Sequence, residues 1–198
     1  KQFMESYNIV NNFLFNKNRK IMVVLGDAGV GKTTLVRMIQ EKHGYDDNII
    51  FLNKEVIDKN RKIIDEVKAI HKKIISEKNT RIIIIDGWDE LFLGNESQCE
   101  IRELFSWINK YTRFKVIITS RYLDGDIDKE IDILKMYPFS EDESFHYLYS
   151  KGIINKDTDI NNNVYKILRV YNTPLLLNLL IEVCQNLDLS IEKVSADN

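Results

Sequence analysis

Short apolar, β-branched runs alternate along this chain with longer stretches whose apolar positions recur every three or four residues. Residues 21–25 predict a strand, followed by a glycine-rich turn and a helix over 32–42. Residues 49–52 predict a second short strand, and beyond it Ile63, Ile64, Val67, Ile70, Ile74 and Ile75 fall on one helical face. Arg81 and four isoleucines at 82–85 run into Asp86, the continuous apolar pattern of a strand covered on both faces of a parallel sheet. A helix is expected over about 97–110, with Ile101, Leu104, Phe105 and Ile108 on one side, and strands over 115–120 and 131–137. Strands alternating with helices predict right-handed crossovers and a doubly wound, mostly parallel five-stranded sheet.

Beyond Pro138 the pattern changes, and only helices are expected: 141–150, about 162–171, and 174–186. Ser140 with Glu143 reads as a capping box, and Pro174 suits the first turn of the last helix. A boundary near Phe139 therefore divides an α/β domain, 1–139, from a small helical domain, 140–198.

Composition narrows the class without naming a chemistry. Of 198 residues, 44% are hydrophobic and 29% charged, enough for a real core, and the net charge of −2 argues against a surface built for nucleic acid or anionic membrane. Cys99 and Cys184 lie far apart, which disfavours a disulfide framework and suits a reducing, cytoplasmic setting. No apolar run approaches the roughly 20 residues that span a bilayer. His43, His71 and His146 have no metal-ligand spacing, and the lysines on the helix carrying Lys72 and Lys73 read as a solvated face.

The chemistry begins at Gly26-Asp27-Ala28-Gly29-Val30-Gly31-Lys32-Thr33, which fits GxxxxGK[ST] at every fixed position and sits between a strand and a helix. Glycines let successive N–H groups turn inward as an anion nest, and the helix start presents its positive dipole end. Lys32 is expected at the β- and γ-phosphates and Thr33 at Mg²⁺, with Thr34 in reach of the α-phosphate. Such a loop needs a carboxylate from a neighbouring strand end. Asp86 is that candidate metal residue, and Asp89 or Glu90, just past it, is the candidate base that orients or deprotonates water. No guanine-specifying NKxD motif is present, which favours ATP over GTP, and no LSGGQ-like transporter signature occurs.

In combination, GDAGVGKTT and IIIIDGWDEL resemble the NACHT branch of the STAND NTPases, signalling ATPases that include animal inflammasome receptors and bacterial antiviral defence proteins. Gly87 directly after the metal aspartate, with acids two and three places on, matches that branch. Residues 116–121 resemble its strand ending in T-S-R, which puts Arg121 where the family's arginine reads the γ-phosphate; a structural ion pair is the other reading of this arginine. Residues 139–143 resemble the start of the family's first helical domain. Asn172-Thr173-Pro174-Leu175 resembles the segment whose proline packs on adenine, although the family has glycine where this chain has Asn172.

The resemblance implies a P-loop NTPase fold of three α/β/α layers followed by a helical lobe. It also implies ATP or ADP with Mg²⁺ as ligands, and slow hydrolysis serving a nucleotide switch. Self-association, a winged-helix domain, and sensor and effector domains would belong to a longer protein of which this chain reads as a piece. An AAA-type motor or replication-initiator ATPase acting on DNA or protein is the alternative, and a small-molecule kinase, for which no lid is evident, is the third.

Overall fold

The computed structural model describes residues 2–43, 49–56, 62–74, 81–91, 96–110, 114–123, 131–155, 158 and 160–194. The chain forms two compact units: residues 2–26 with 32–136, and residues 27–31 with the segment from Tyr137 onward.

In the first unit five strands form one sheet: β1 (Ile21–Leu25), β2 (Ile49–Leu52), β3 (Arg81–Ile85), β4 (Phe114–Ser120) and β5 (Ile131–Lys135). Their order is β2-β3-β4-β1-β5, and every pairing is parallel. The strand leading into the glycine loop, β1, is therefore not the neighbour of the strand that ends at Asp86; β4 lies between them. The predicted strands stand where the β-branched runs placed them. β5 ends before the expected Tyr137: Met136 still donates its N–H to Leu25 O at 2.7 Å, and Pro138, which has no N–H, follows.

Both faces of the sheet are covered. Ile21, Val23, Ile83, Ile85, Val116 and Ile118 point one way and share a core with Ile63 and Val67 of α3 (Ile63–Ile74) and with Ile101, Leu104 and Ile108 of α5 (Glu96–Lys110). The alternating Met22, Val24, Ile84 and Ile117 are buried too. Helices α1 (Gln2–Phe15) and α2 (Lys32–His43) pack on each other and bury Val10, Phe13, Leu35, Val36 and Ile39. The predicted position Ile75 and the side chains of Ile70, His71, Ile74 and Cys99 lie outside the described residues.

Helix α1 has no counterpart among the sequence expectations. Its buried Tyr7, Val10 and Phe13 recur at three-residue spacing, but asparagines and exposed Ile9 and Phe15 dilute the stripe. It is held by a lysine. Lys115, buried on β4, donates its Nζ to the carbonyls of Phe13 (2.7 Å), Asn16 and Arg19 (2.8 Å), tying the last turn of α1 and the turn that follows it to the sheet.

The second unit contains α6 (Glu141–Ser150), α7 (Asn162–Val170) and α8 (Pro174–Asn186). Leu148, Ile154, Val164, Ile167, Leu168, Leu177, Leu180, Ile181, Cys184 and Ile191 form its core. The capping box is present at Ser140 and Glu143. Thr173 caps α8, accepting from Leu176 N at 3.3 Å, with Pro174 in the first turn. No helix among the described residues is long and apolar enough to cross a membrane.

Candidate functional site

In a parallel sheet all carboxyl ends share one edge, where ligands of open α/β folds bind. Here the ends of β1, β4 and β3 lie side by side, and each delivers a motif. Gly26 N donates to Ser120 O at 3.3 Å, so the start of the glycine loop is stitched to the end of β4. Lys32 Nζ donates to Gly26 O at 2.6 Å, joining the two ends of the loop. Thr33 Oγ1 donates to Asp86 Oδ1 at 3.2 Å, although 53 residues separate the two in sequence.

Asp86 is fixed from two sides. Its backbone N–H donates to Leu52 O at 2.8 Å. Thr119 Oγ1 donates to Asp86 Oδ1 at 2.6 Å and accepts from Gly87 N at 2.8 Å. Gly87 has φ +76, a region open to glycine, and this turn aims its N–H at Thr119. The hydroxyl of Thr33 and the carboxylate of Asp86 thus converge as hard oxygen donors, a set that suits Mg²⁺ sharing its shell with water and phosphate. Thr34 is exposed on the first turn of α2.

The two acids that follow sit in different surroundings, both on the short helix α4 (Trp88–Leu91). Asp89 is buried, its side chain 3% exposed, and pairs with the half-exposed Arg121 through Nε. Its Oδ1 accepts from Arg121 N at 2.9 Å and lies 3.1 Å from Ser120 Oγ. Burial pushes this carboxyl up, but the Arg121 side chain and the Arg121 N–H outweigh it and hold Asp89 below the usual carboxylate range. Glu90 instead has a side chain 47% exposed, with Oε2 2.8 Å from Lys54 Nζ. Glu90 raises the Lys54 ammonium above its ordinary value, by hydrogen bond and by charge. Trp88 is a core residue.

In the second unit the loop residues 27–31 meet the start of α8. Leu175 N donates to Gly29 O at 3.4 Å. Gly29 has φ +79, and a Cβ there would stand 2.9 Å from Leu175 Cβ and 3.2 Å from Thr173 Oγ1, so no other residue fits without displacement. Gly31 also has positive φ, +99, and Val30 is buried. Phe139 N donates to Asn172 O at 2.6 Å, so Asn172 joins the start of the helical segment to the turn before Pro174.

The residues that sequence reasoning passed over are Thr119 and Lys54. Thr119 was read only as the first residue of the T-S-R strand end, with no role of its own; its bond to Asp86 depends on β4 lying beside β3. Lys54 lies in the turn after β2, 36 residues from Glu90, and no local pattern marks it.

No curated protein sequence matches this chain. Among solved structures, it resembles a STAND protein with a tetratricopeptide repeat sensor, PH0952 from Pyrococcus horikoshii. The identity is 20% and the TM-score 0.55, over 90% of this chain and 29% of that one. The replication initiator DnaA bound to AMPPCP and single-stranded DNA matches at 15% identity and a TM-score of 0.60, over 91% of this chain and 60% of that one. Cdc6p from Pyrobaculum aerophilum matches at 14% and 0.57, over 94% of this chain and 63% of that one. At these identities the likeness is one of fold, and the chain spans less than two thirds of each of these proteins. The NACHT domain model matches residues 20–152. With its P-loop, its Asp86 strand end and that match over most of its length, the chain belongs to the NACHT family of P-loop nucleotide-binding domains.

Proposed function

We propose that this chain binds ATP with Mg²⁺ and hydrolyses it slowly, as the nucleotide switch of a NACHT-type signalling or defence protein. The observation that carries the reading is the convergence of Thr33 and Asp86 at 3.2 Å, at the carboxyl edge of the sheet. A glycine loop and Lys32 alone would also suit a passive phosphate site. A buttressed carboxylate beside the loop threonine adds what phosphoryl transfer requires.

In this reading Gly26 to Gly31 wrap the phosphates with backbone N–H groups, and Lys32 exchanges its contact with Gly26 O for phosphate oxygens. Thr33 and Asp86 would hold Mg²⁺, which when bound neutralises charge on the β- and γ-phosphates. Thr119 keeps Asp86 in its rotamer. Glu90 is the group with an exposed carboxylate suited to water, and its exposed ion pair with Lys54 is of the kind that exchanges readily with solvent. Arg121 is the residue assigned to the γ-phosphate. Thr34 and Pro174 are assigned to the α-phosphate and adenine from the family resemblance.

Slow turnover with nucleotide retained through purification is the expected behaviour. Strong stimulation by DNA would overturn the switch reading in favour of a replication-initiator-like ATPase. The decisive experiment is calorimetry of Lys32→Ala with ATP and Mg²⁺. Loss of detectable binding is expected, and normal binding by that variant would remove the central claim.

A further inference from the structure

We propose that Asp89 is a positioning residue: it is anchored at the end of β4 and aims the Arg121 guanidinium at the γ-phosphate. Activation of water is left to Glu90. This rests on the nucleotide-site reading above and gives it a division of labour between adjacent acids.

The two oxygens of Asp89 do different things. Oδ1 accepts from Arg121 N at 2.9 Å, a bond that ties α4 to the backbone at the end of β4 whatever the Arg121 side chain does. Ser120 Oγ is near the same oxygen, but its single proton has a closer acceptor in Tyr122 O at 2.6 Å. With Oδ1 so fixed, Oδ2 is a stationary acceptor, and it takes the Nε–H of Arg121. A guanidinium gripped at Nε keeps four further N–H groups on its outer nitrogens, enough to fork onto phosphate oxygens. The side chain is 51% exposed, so those groups are not walled in.

A base, by contrast, needs an oxygen open to water and a carboxylate able to take a proton. Asp89 is 3% exposed along its side chain, has donors on both oxygens and is held acidic by its neighbours. Glu90, one residue on, has its side chain 47% exposed. Helix α4 turns the two carboxylates to different surroundings, and their chemistry follows.

The test is the preference for triphosphate over diphosphate, measured by calorimetry with Mg·AMPPCP and Mg·ADP on this chain. Asp89→Asn, nearly isosteric, and Arg121→Lys, which keeps the charge but has no Nε fork, are each expected to lower the AMPPCP affinity about tenfold while leaving ADP affinity unchanged, the scale of one charge-assisted hydrogen bond. The double variant is expected to lose no more than the worse single one, because both changes break one contact. Asp89→Asn with an unaltered AMPPCP preference and abolished turnover would make Asp89 the base and overturn the proposal. Additive losses in the double variant would overturn it as well. If Asp89→Asn does not fold, Arg121→Lys decides alone: an unaltered AMPPCP preference overturns the aiming role. A wild-type chain that binds neither nucleotide would instead bring down the nucleotide-site reading on which this rests.

Discussion

Adjacent residues can be made chemically unlike by a single turn of helix, and Asp89 and Glu90 show how. General-base assistance is worth about 10² to 10⁴ in rate, so Glu90→Gln should keep ATP affinity within a few-fold while turnover falls at least about 100-fold. Single-turnover hydrolysis with radiolabelled ATP reads this directly, and an unchanged rate would hand the water to another group. At this scale much was legible in sequence. The spacing of GDAGVGKT and the acid ending IIIID are local patterns imposed by local physics, a nest of N–H groups and a strand end. The different surroundings of Asp89 and Glu90 were not legible, because they depend on which carboxylate meets the end of β4. Nor was Lys54 beside Glu90, since that pair is made by β2 lying next to β3.

Elements carry their own logic, and the caps show it best. Ser140, Thr173 and Asn161 each bond the first turn of the helix they precede, as hydroxyl and amide side chains at those positions should. Helix α1 was hidden because what fixes it is remote: Lys115 on β4 donates to Phe13 O in its last turn and to Arg19 O in the turn beyond, and its Nζ also lies 4.6 Å from the Phe13 ring centroid. A lysine beginning an otherwise apolar strand was the only trace in the sequence. Lys115→Met keeps the volume and removes the ammonium from one buried and two part-buried carbonyl contacts. It should cost about 2–4 kcal/mol, read as a lower urea midpoint with faster amide exchange in α1. An unchanged midpoint would show that water replaces the ammonium at no cost.

For the molecule as a whole, the alternation of strands and helices announced a parallel sheet, and the loss of that alternation after Pro138 announced a helical segment. The strand order was not announced. Periodicity says which residues are buried but nothing of which strands are neighbours, and the insertion of β4 between β1 and β3 comes only from tertiary pairing. That order also has a consequence in time. β1 has two partners, and Ile21 is registered against Val116 on one side and Ile131 on the other. A chain emerging from the ribosome exposes its apolar β1 before either partner strand, a delay on the order of ten seconds at ordinary elongation rates. A fragment ending at residue 110 should therefore lack cooperative melting by circular dichroism and aggregate through residues 21–25, whereas one reaching residue 136 contains all five strands of the described sheet. A sharp transition in the shorter fragment would refute this. The strand leading into the glycine loop is synthesised before both strands that pair with it and is locked in place only once they have followed, which makes it a natural client for a chaperone during biogenesis.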